Sequence, residues 1–240
     1  MPGKHHQIAQ HLIQDILSGH YRVSDRLPSE RDLASRFCVN RGCIREAITK
    51  VAQMGLIDVQ PGGARVKKKQ EASLDIISHL LAQDSIPDPC LVDQIMLVTN
   101  TLFIVAAKRA LELACDEDLQ AIRALAQPLM SLQLEAATRS EGYFKLMQAI
   151  MQASANLPLQ IITRTLFNQI IPSDDNLTAF ALIDEHASSL FAGEIDRAIA
   201  ARDSQALCLA FNTFSTLNRE TLIRGLQAAR DVTALEGSVQ

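Results

Sequence analysis

The sequence predicts a mainly α-helical protein, in which an N-terminal winged helix-turn-helix precedes a C-terminal all-α antiparallel helical bundle. Glycine and proline number only 10 and 8 in 240 residues, which favours long helices joined by short connections. Apolar residues recur at helical spacing over most of the chain. A strand-like pattern appears only near residues 56–66, around a pair of glycines. We therefore expect a first domain at 1–69, a linking helical region at 70–90 and a helical domain at 91–235. The sequence also predicts a tight turn at Gly62-Gly63, a kink or break at Pro128, a helix that starts at Ser140, a loop at 172–176 and a further helix from residue 177.

Charge divides the chain in nearly the same place. Residues 1–70 hold 12 Lys and Arg against 6 Asp and Glu, a balance of +6, whereas residues 71–240 hold 11 against 21, a balance of −10. A basic first third joined to an acidic remainder indicates that polyanion binding is confined to the first part. The alternative is that the charges are sorted by chance.

The cysteines indicate a reducing compartment. Their number is odd and none forms a Cys-x-x-Cys pair, unlike a disulfide framework. They are Cys38, Cys43, Cys90, Cys115 and Cys208. The polar N-terminus lacks the apolar run of a signal peptide, and we find no window of ~18 apolar residues that predicts a membrane span. We therefore expect a cytoplasmic protein with no membrane partner.

Three helices are predicted before the glycine pair. The first covers residues 4–18 and carries one apolar stripe. Ser29 is placed to cap the second helix and Asn40 to cap the third. Val39 and Ile44 have the spacing of a hydrophobic staple around that last cap, which fixes how the chain turns into the third helix.

The third helix has two distinct faces. One is an apolar stripe that we expect to be buried, made of Ile44, Ala47, Ile48 and Val51. Arg41 and Arg45 are four residues apart and project from another face. Gly42 and Cys43 keep the first turn slim, so that its backbone can approach a surface closely.

This arrangement is typical of DNA reading, because a helix-turn-helix places the N-terminal residues of its second helix against base edges. A guanidinium can donate two hydrogen bonds to guanine, and a helix N-terminus attracts phosphate. Arg41 and Arg45 are expected to specify the sequence, and Arg31, Lys67 and Lys68 to position the protein on the DNA backbone. The predicted DNA contacts are Arg31, Asn40, Arg41, Gly42, Cys43, Arg45, Gly62, Gly63, Arg65 and Lys67. The alternative is that these arginines form an ordinary solvated face.

The same stretch resembles a known family. The segment LPSERDLASRFCVNRGCIREAITKVAQMGLIDVQPGGARV is similar to the winged helix of GntR-type bacterial transcription regulators, with the LPSER opening and Arg45-Glu46-Ala47 as hallmarks. The resemblance covers essentially residues 8–66. It implies that Arg31, Asn40, Arg41, Cys43, Arg45 and the Gly62-Gly63 wing lie at DNA-contacting positions. The chain departs from the pattern at Asn40, where Ser or Thr is usual, and at Gly42-Cys43, which could alter base preference.

The C-terminal part is more loosely similar to the FadR subfamily with its FCD-type domain. Ala153-Ser154-Ala155-Asn156 resembles that subfamily's Ala-Ser-Gly-Asn segment. Many members hold a metal through one Asp and three His. Those positions fall here on Tyr143, Met147, Phe214 and about Ala192, and a usual Arg falls on Thr99. The resemblance therefore implies a bundle with no metal and no cofactor.

The resemblance further implies an apolar effector site, as in the acyl-CoA-binding branch of the subfamily. The candidate effector residues are Thr99, Asn100, Tyr143, Met147, Asn156, His186 and Phe214. Three alternatives stay open: a filled core with no ligand, an organic-acid effector in a non-standard site, or a switch by oxidation of Cys43 and Cys38. A lone helical histidine such as His186 is more often a packing or hydrogen-bonding residue than a ligand.

We therefore expect a homodimeric regulator that binds an inverted-repeat operator in double-stranded DNA under the control of a small molecule. An enzyme fused to a DNA-binding domain is the competing class. The sequence holds no phosphate-binding loop, nucleophile elbow or paired-carboxylate motif that would favour it.

Overall fold

The structure is a computed structural model that describes residues 3–170 and 185–237. Two compact units divide the chain, Met1–Pro87 and Asp88–Gln240. The described residues are mainly helical, with one two-stranded antiparallel sheet in the first unit. The predicted fold class is confirmed.

The first unit contains a three-helix core, a two-stranded wing and a short C-terminal helix. Its elements are α1 (Lys4–Leu17), α2 (Glu30–Arg36), α3 (Arg41–Gln53), β1 (Ile57–Gln60), β2 (Gly63–Val66), a 3-10 turn (Lys69–Glu71) and α4 (Ile76–Leu81). α1 and α3 pack together through apolar stripes that include Leu12 and Ile44, both fully buried. This packing leaves another face of α3 exposed.

The wing is a hairpin whose register pairs Ile57 with Val66 and Gln60 with Gly63. The turn lies at Pro61 and Gly62, one residue earlier than the Gly62-Gly63 turn that we expected. Gly62 and Gly63 have φ values of +109° and +130°, which side chains with a Cβ rarely adopt. The glycine pair therefore spans the turn and the first residue of β2.

The segment expected to be a linking helix at 70–90 is instead a 3-10 turn followed by the six-residue α4. It is tied to the first unit: the Lys69 Nζ donates to the Leu17 carbonyl at 2.8 Å, and the Ser73 amide donates to the Met54 carbonyl at 2.9 Å. Gly55 allows the close approach, because a Cβ there would lie 2.8 Å from the Glu71 carbonyl oxygen. The segment belongs to the first unit through Pro87.

The second unit consists of long helices around a single apolar core. They are α5 (Pro89–Leu113), α6 (Asp116–Ala126), α7 (Ala136–Ala153), α8 (Leu157–Ile170), α9 (Glu185–Ala200) and α10 (Ser204–Gly237), with a 3-10 turn at Gln127–Met130. The break expected at Pro128 is confirmed by that turn. The loop expected at 172–176 and the helix start expected at 177 lie outside the described residues.

α5 is long and apolar enough, by length and composition, to cross a membrane. We expected no such window, and that expectation was wrong because the scattered Thr and Asn residues of α5 do not offset its Leu, Ile and Val. In the structure α5 packs against α7, α8 and α10, with Phe103, Ala106 and Ala110 buried in the core. A core helix of this kind passes the same compositional test.

α7 begins at Ala136, four residues before the start that we expected at Ser140. Arg139 in its first turn is 2% exposed. Its guanidinium donates to the carbonyls of Ser131 and Leu134, at 3.1 and 3.2 Å, and to the Ser188 hydroxyl at 3.1 Å. Arg139 thus connects the turn before α7 with α9.

Candidate nucleic-acid interface and candidate effector core

The N-terminus of α3 is built by a side-chain cap. The Asn40 Oδ1 accepts a hydrogen bond from the Cys43 amide at 2.8 Å, which satisfies one of the free amides of the first turn. A Cβ on Gly42 would lie 3.3 Å from that Oδ1, so glycine leaves the cap uncrowded. The structure thus places the predicted cap and slim first turn at the exposed end of α3.

Arg41 and Arg45 both lie on the exposed face of α3, opposite the fully buried Ile44, Ala47 and Val51. The Arg45 Nε donates to the Glu30 carboxylate of α2 at 2.7 Å, and the Arg45 side chain keeps 68% of its surface exposed. Because Glu30 engages Nε, the Nη1 and Nη2 groups at the tip remain free to reach an outside acceptor. The pair holds Arg45 in place at the surface.

Arg31 lies on α2 and is 79% exposed, with its Nε 3.9 Å from the Asp32 carboxylate. The start of α2 is fixed by reciprocal hydrogen bonds between Ser29 and Asp32: the Ser29 Oγ donates to the Asp32 carboxylate at 2.6 Å, and the Asp32 amide donates back to Oγ at 3.3 Å. That hydroxyl donor lowers the pKa of the Asp32 carboxyl. Arg31 therefore extends from a firmly capped helix.

The wing presents Arg65 at its exposed face, where its Nη1 donates to the Ser24 carbonyl at 3.1 Å. Lys67 is half-buried and paired with Glu71 at 3.1 Å, which leaves it less available to DNA than we expected. Lys68 is exposed. Lys69, the last of the three lysines after the wing, donates to the Leu17 carbonyl at the end of α1.

The two cysteines near α3 have different surroundings. Cys38 is exposed, with a φ of +53°, at the turn between α2 and α3. Cys43 is half-buried and packs against the core of the first unit. Both thiols lie beside the predicted DNA-contacting turn.

In the second unit, the positions that the resemblance assigned to metal ligands come together in one aromatic cluster. Tyr143 stacks on Phe214 with ring centroids 5.3 Å apart, and Phe214 stacks on Phe191 at 4.4 Å. Met147 and the fully buried Ala192 belong to the same core. The Tyr143 hydroxyl donates to the Ser188 carbonyl at 2.7 Å, and burial raises the pKa of that phenol. This cluster offers apolar surface and one neutral hydroxyl.

The other predicted effector residues are exposed or make hydrogen bonds of their own. His186 is exposed on α9. The Asn156 Oδ1 accepts from the Leu159 amide at 3.1 Å, which caps the start of α8. Thr99 is buried with its hydroxyl donating to the Ile95 carbonyl at 2.9 Å, and Asn100 faces Asn212 with 3.5 Å between their amide groups. The resemblance assigned these residues by their positions along the chain, which does not predict the direction of their side chains.

The described part of the bundle contains a small apolar void. The void has room of about 10 Å³, which holds at most one water molecule. It is lined by Ala107, Ala110, Leu111, Leu119, Ile122, Ile150, Ile199 and Leu207. Among the described residues, no three His, Cys, Asp or Glu side chains are grouped where they could hold a metal ion.

The sequence did not predict two residues near the predicted DNA contacts. Glu30 meets Arg45 across 15 positions of sequence, and Arg26 lies beside Gly63, 37 positions further along the chain. The acidic residue inside LPSER was visible as a hallmark, but only the packing of α2 on α3 shows what it contacts. Arg26 gave no signal beyond its charge.

Comparison with known proteins agrees with these observations. Residues 4–66 match the family model described as bacterial regulatory proteins, gntR family. An uncharacterized HTH-type transcriptional regulator of Mycobacterium tuberculosis is 40% identical over 65 residues, 27% of each chain. LutR of Bacillus subtilis is 28% identical over 141 residues, 59% of this chain and 64% of its own. The fatty acid metabolism regulator protein of Pasteurella multocida is 25% identical over 118 residues, 48% and 49% of the two chains.

These matches span between about a quarter and two thirds of the relatives' own lengths. The fold extends further: the solved structure of Lar, described as controlling expression of the Listeria monocytogenes agr system, superposes over 95% of this chain and 98% of its own. The TM-score is 0.55 and the sequence identity 17%, so that likeness concerns the fold alone. Through its capped α3, its glycine wing and the match over residues 4–66, the first unit of this chain is similar to the DNA-binding domain of the GntR family of bacterial regulatory proteins.

Proposed function

We propose that the protein is a transcription regulator that binds double-stranded DNA sequence-specifically through the first unit. The observation that carries the proposal is the placement of Arg41 and Arg45 on the exposed face at the capped end of α3, opposite its buried stripe. Arginine side chains at this position of a helix-turn-helix reach base edges in the major groove. The relatives' names as transcriptional regulators support the same class rather than an enzyme.

In this proposal the contacts divide into two kinds. Arg41 and Arg45 read bases, and Arg31, Arg65 and Lys68 contact the backbone, where charge supplies affinity without sequence information. Asn40, Gly42 and Cys43 shape the helix end that approaches the DNA. Gly62 and Gly63 let the wing lie close to the duplex, and Lys67 contributes only if it leaves Glu71.

The regulator acts as a homodimer on an inverted repeat. Two copies place two α3 helices in successive major grooves about 34 Å apart, because half-site spacing follows the helical repeat of DNA. Two-fold symmetry in the protein is then matched by two-fold symmetry in the operator.

The test begins with selection of binding sites from a random duplex library by the full chain. Fluorescence anisotropy then compares the selected site with random DNA for wild type, Arg41→Ala and Arg45→Ala. Each substitution should weaken binding to the selected site by about 1–3 kcal/mol and bring it closer to binding of random DNA. Arg197→Ala removes an exposed arginine of the second unit and serves as the charge-matched control. Failure to select any sequence would refute the proposal.

For the second unit we propose control by an acyl-type or other lipophilic ligand at the Tyr143–Phe191–Phe214 cluster. The apolar surface around Tyr143 supports it, as does the name of the relative called a fatty acid metabolism regulator. An organic acid and oxidation of Cys43 with Cys38 are the alternative signals.

Mass spectrometry of ligand carried through native purification would name the effector class. Long-chain acyl-CoA, a free long-chain fatty acid and a short dicarboxylic acid would then be titrated against the protein–DNA complex. Release by the acyl-CoA alone supports the leading version, and release by the dicarboxylic acid alone replaces it. Peroxide sensitivity that disappears in Cys43→Ser would instead support the thiol switch.

A further inference from the structure

We propose that Arg26 and Arg65, side by side at the base of the wing, form a paired phosphate site that grips the DNA backbone. The inference rests on the proposed DNA-binding function and adds Arg26 to the interface. Its occupant is the phosphate of duplex DNA that flanks the groove entered by α3.

The backbone sets the two arginines opposite each other. Arg26 forms an isolated antiparallel bridge with Arg65 along the outer edge of β2. The Leu27 amide donates to the Ala64 carbonyl and the Val66 amide donates to the Asp25 carbonyl, each at 2.9 Å. Residues directly opposite on an antiparallel pair point to the same face, with Cβ atoms ~5 Å apart.

Each guanidinium extends across to the neighbouring segment, toward the residue two positions before the other arginine. The Arg65 guanidinium reaches back to the Ser24 carbonyl at 3.1 Å. The Arg26 guanidinium lies over Gly63, where a Cβ would be 2.7 Å from Nε and 3.2 Å from Nη2. Gly63 therefore serves twice, because its φ of +130° excludes most side chains and its missing Cβ makes room for Arg26.

The acid nearest to this pair along the sheet is Asp58, which lies opposite Arg65 in the wing register and accepts a hydrogen bond from the Gln60 side-chain amide at 2.6 Å. Like charges directly opposite on a sheet are unfavourable, and both side chains are exposed. Among the described residues, the ion pairs within 4.0 Å involve neither arginine. Two arginines beside one acid, with which neither forms an ion pair, leave net positive charge on this face, and a phosphate accepts charge-assisted hydrogen bonds from such donors.

The test measures binding of the full chain to its selected duplex between 50 and 200 mM NaCl. Loss of one phosphate contact lowers the slope of log K against log salt by about 0.9. Over that fourfold range, wild type should therefore weaken about 3.5-fold more than Arg26→Gln for each subunit bound. Arg26→Lys should restore the wild-type slope, because a lysine also neutralises phosphate. Arg22→Gln is the control: it removes another exposed arginine of the segment between α1 and α2 and should leave the salt slope unchanged.

Three outcomes would overturn the inference. A wild-type slope in Arg26→Gln would show that Arg26 contacts no phosphate. Arg26→Lys behaving like Arg26→Gln would show that the guanidinium acts by holding the wing. A loss confined to the selected site, with random DNA unaffected, would assign Arg26 to base reading. All three are distinguishable from failure of the proposed function, because that failure would also remove the effect of Arg45→Ala.

Discussion

The two units hold their candidate functional residues in opposite ways. In the first unit Arg41 and Arg45 lie on the exposed face of α3, and the core behind them is made by other residues. In the second unit Tyr143 and Phe214 are candidate ligand contacts and also members of the apolar core. We therefore expect the proposed function to be separable from stability in the first unit and coupled to it in the second.

The largest expected effect tests that coupling. Phe191→Ala removes a ring that is 2% exposed and contacts Tyr143, Phe211 and Phe214, so we expect a loss of about 3–5 kcal/mol in the free energy of unfolding. The matched control is Leu190→Ala, because Leu190 is the neighbouring residue and is 54% exposed. Urea denaturation followed by circular dichroism measures both, with hydrogen exchange assigning the transition to the second unit. Equal losses in the two variants would contradict the coupling.

The next effect tests separability in the first unit. Arg45→Ala should cost 1–3 kcal/mol in operator binding, yet change the free energy of unfolding by less than about 1 kcal/mol, since its pair with Glu30 is exposed. Glu30→Gln removes the same ion pair and leaves Arg45 in place. If Glu30 only holds Arg45 in position, Glu30→Gln should weaken operator binding less than Arg45→Ala does. A stability loss in Arg45→Ala as large as its binding loss would break the comparison.

The same division explains what the sequence could predict. The caps at Ser29 and Asn40 and the buried stripe of α3 follow from spacings of three or four residues, and the structure contains them. The Glu30–Arg45 pair and the approach of Arg26 to Gly63 depend on which helices and strands meet, so no local pattern signals them. The helix-turn-helix was predictable because its caps and its buried stripe depend on residues only three or four positions apart.

The bundle was less predictable because its features depend on tertiary packing. The start of α7 was placed at Ser140, a good capping residue, but the helix begins at Ala136 after Glu135, which makes no side-chain cap. Buried hydrogen bonds from Arg139 hold that first turn instead. Likewise the facing of His186 is set by how α9 packs, which positional counting cannot give.

A smaller effect compares one hydroxyl in each unit. Tyr143→Phe leaves the buried Ser188 carbonyl without its 2.7 Å donor, and we expect a loss of about 1 kcal/mol in the free energy of unfolding. Tyr21→Phe is the counterpart in the first unit, where the exposed hydroxyl accepts from Arg36 at 3.2 Å. That change should stay within about 0.5 kcal/mol. The same denaturation experiment decides, and a larger loss for Tyr21→Phe would reverse the expected order.

The smallest expected effect is a gain, and not a loss, in the free energy of unfolding. Ala155 has a φ of +48° between α7 and α8, a left-handed conformation that costs roughly 1–2 kcal/mol for a residue with a Cβ. The similar segment of the FadR subfamily has glycine there, so Ala155→Gly should relieve the strain. Since glycine also gains freedom in the unfolded chain, we expect a net stabilisation of about 0.5–1 kcal/mol.

Ala153→Gly is the matched control, because Ala153 is the last residue of α7 and is not in the left-handed region. It should be neutral or destabilising by up to about 1 kcal/mol, since glycine is a poor helix former. Opposite signs at the two alanines would show that the left-handed backbone sets the effect at Ala155, while part of any loss at Ala153 comes from its methyl group, which packs against the core. If Ala155→Gly instead lost stability, the Ala155 methyl group would contribute more to stability than its left-handed backbone costs. Packing would then determine stability in the turn between α7 and α8 as it does in the core of the second unit.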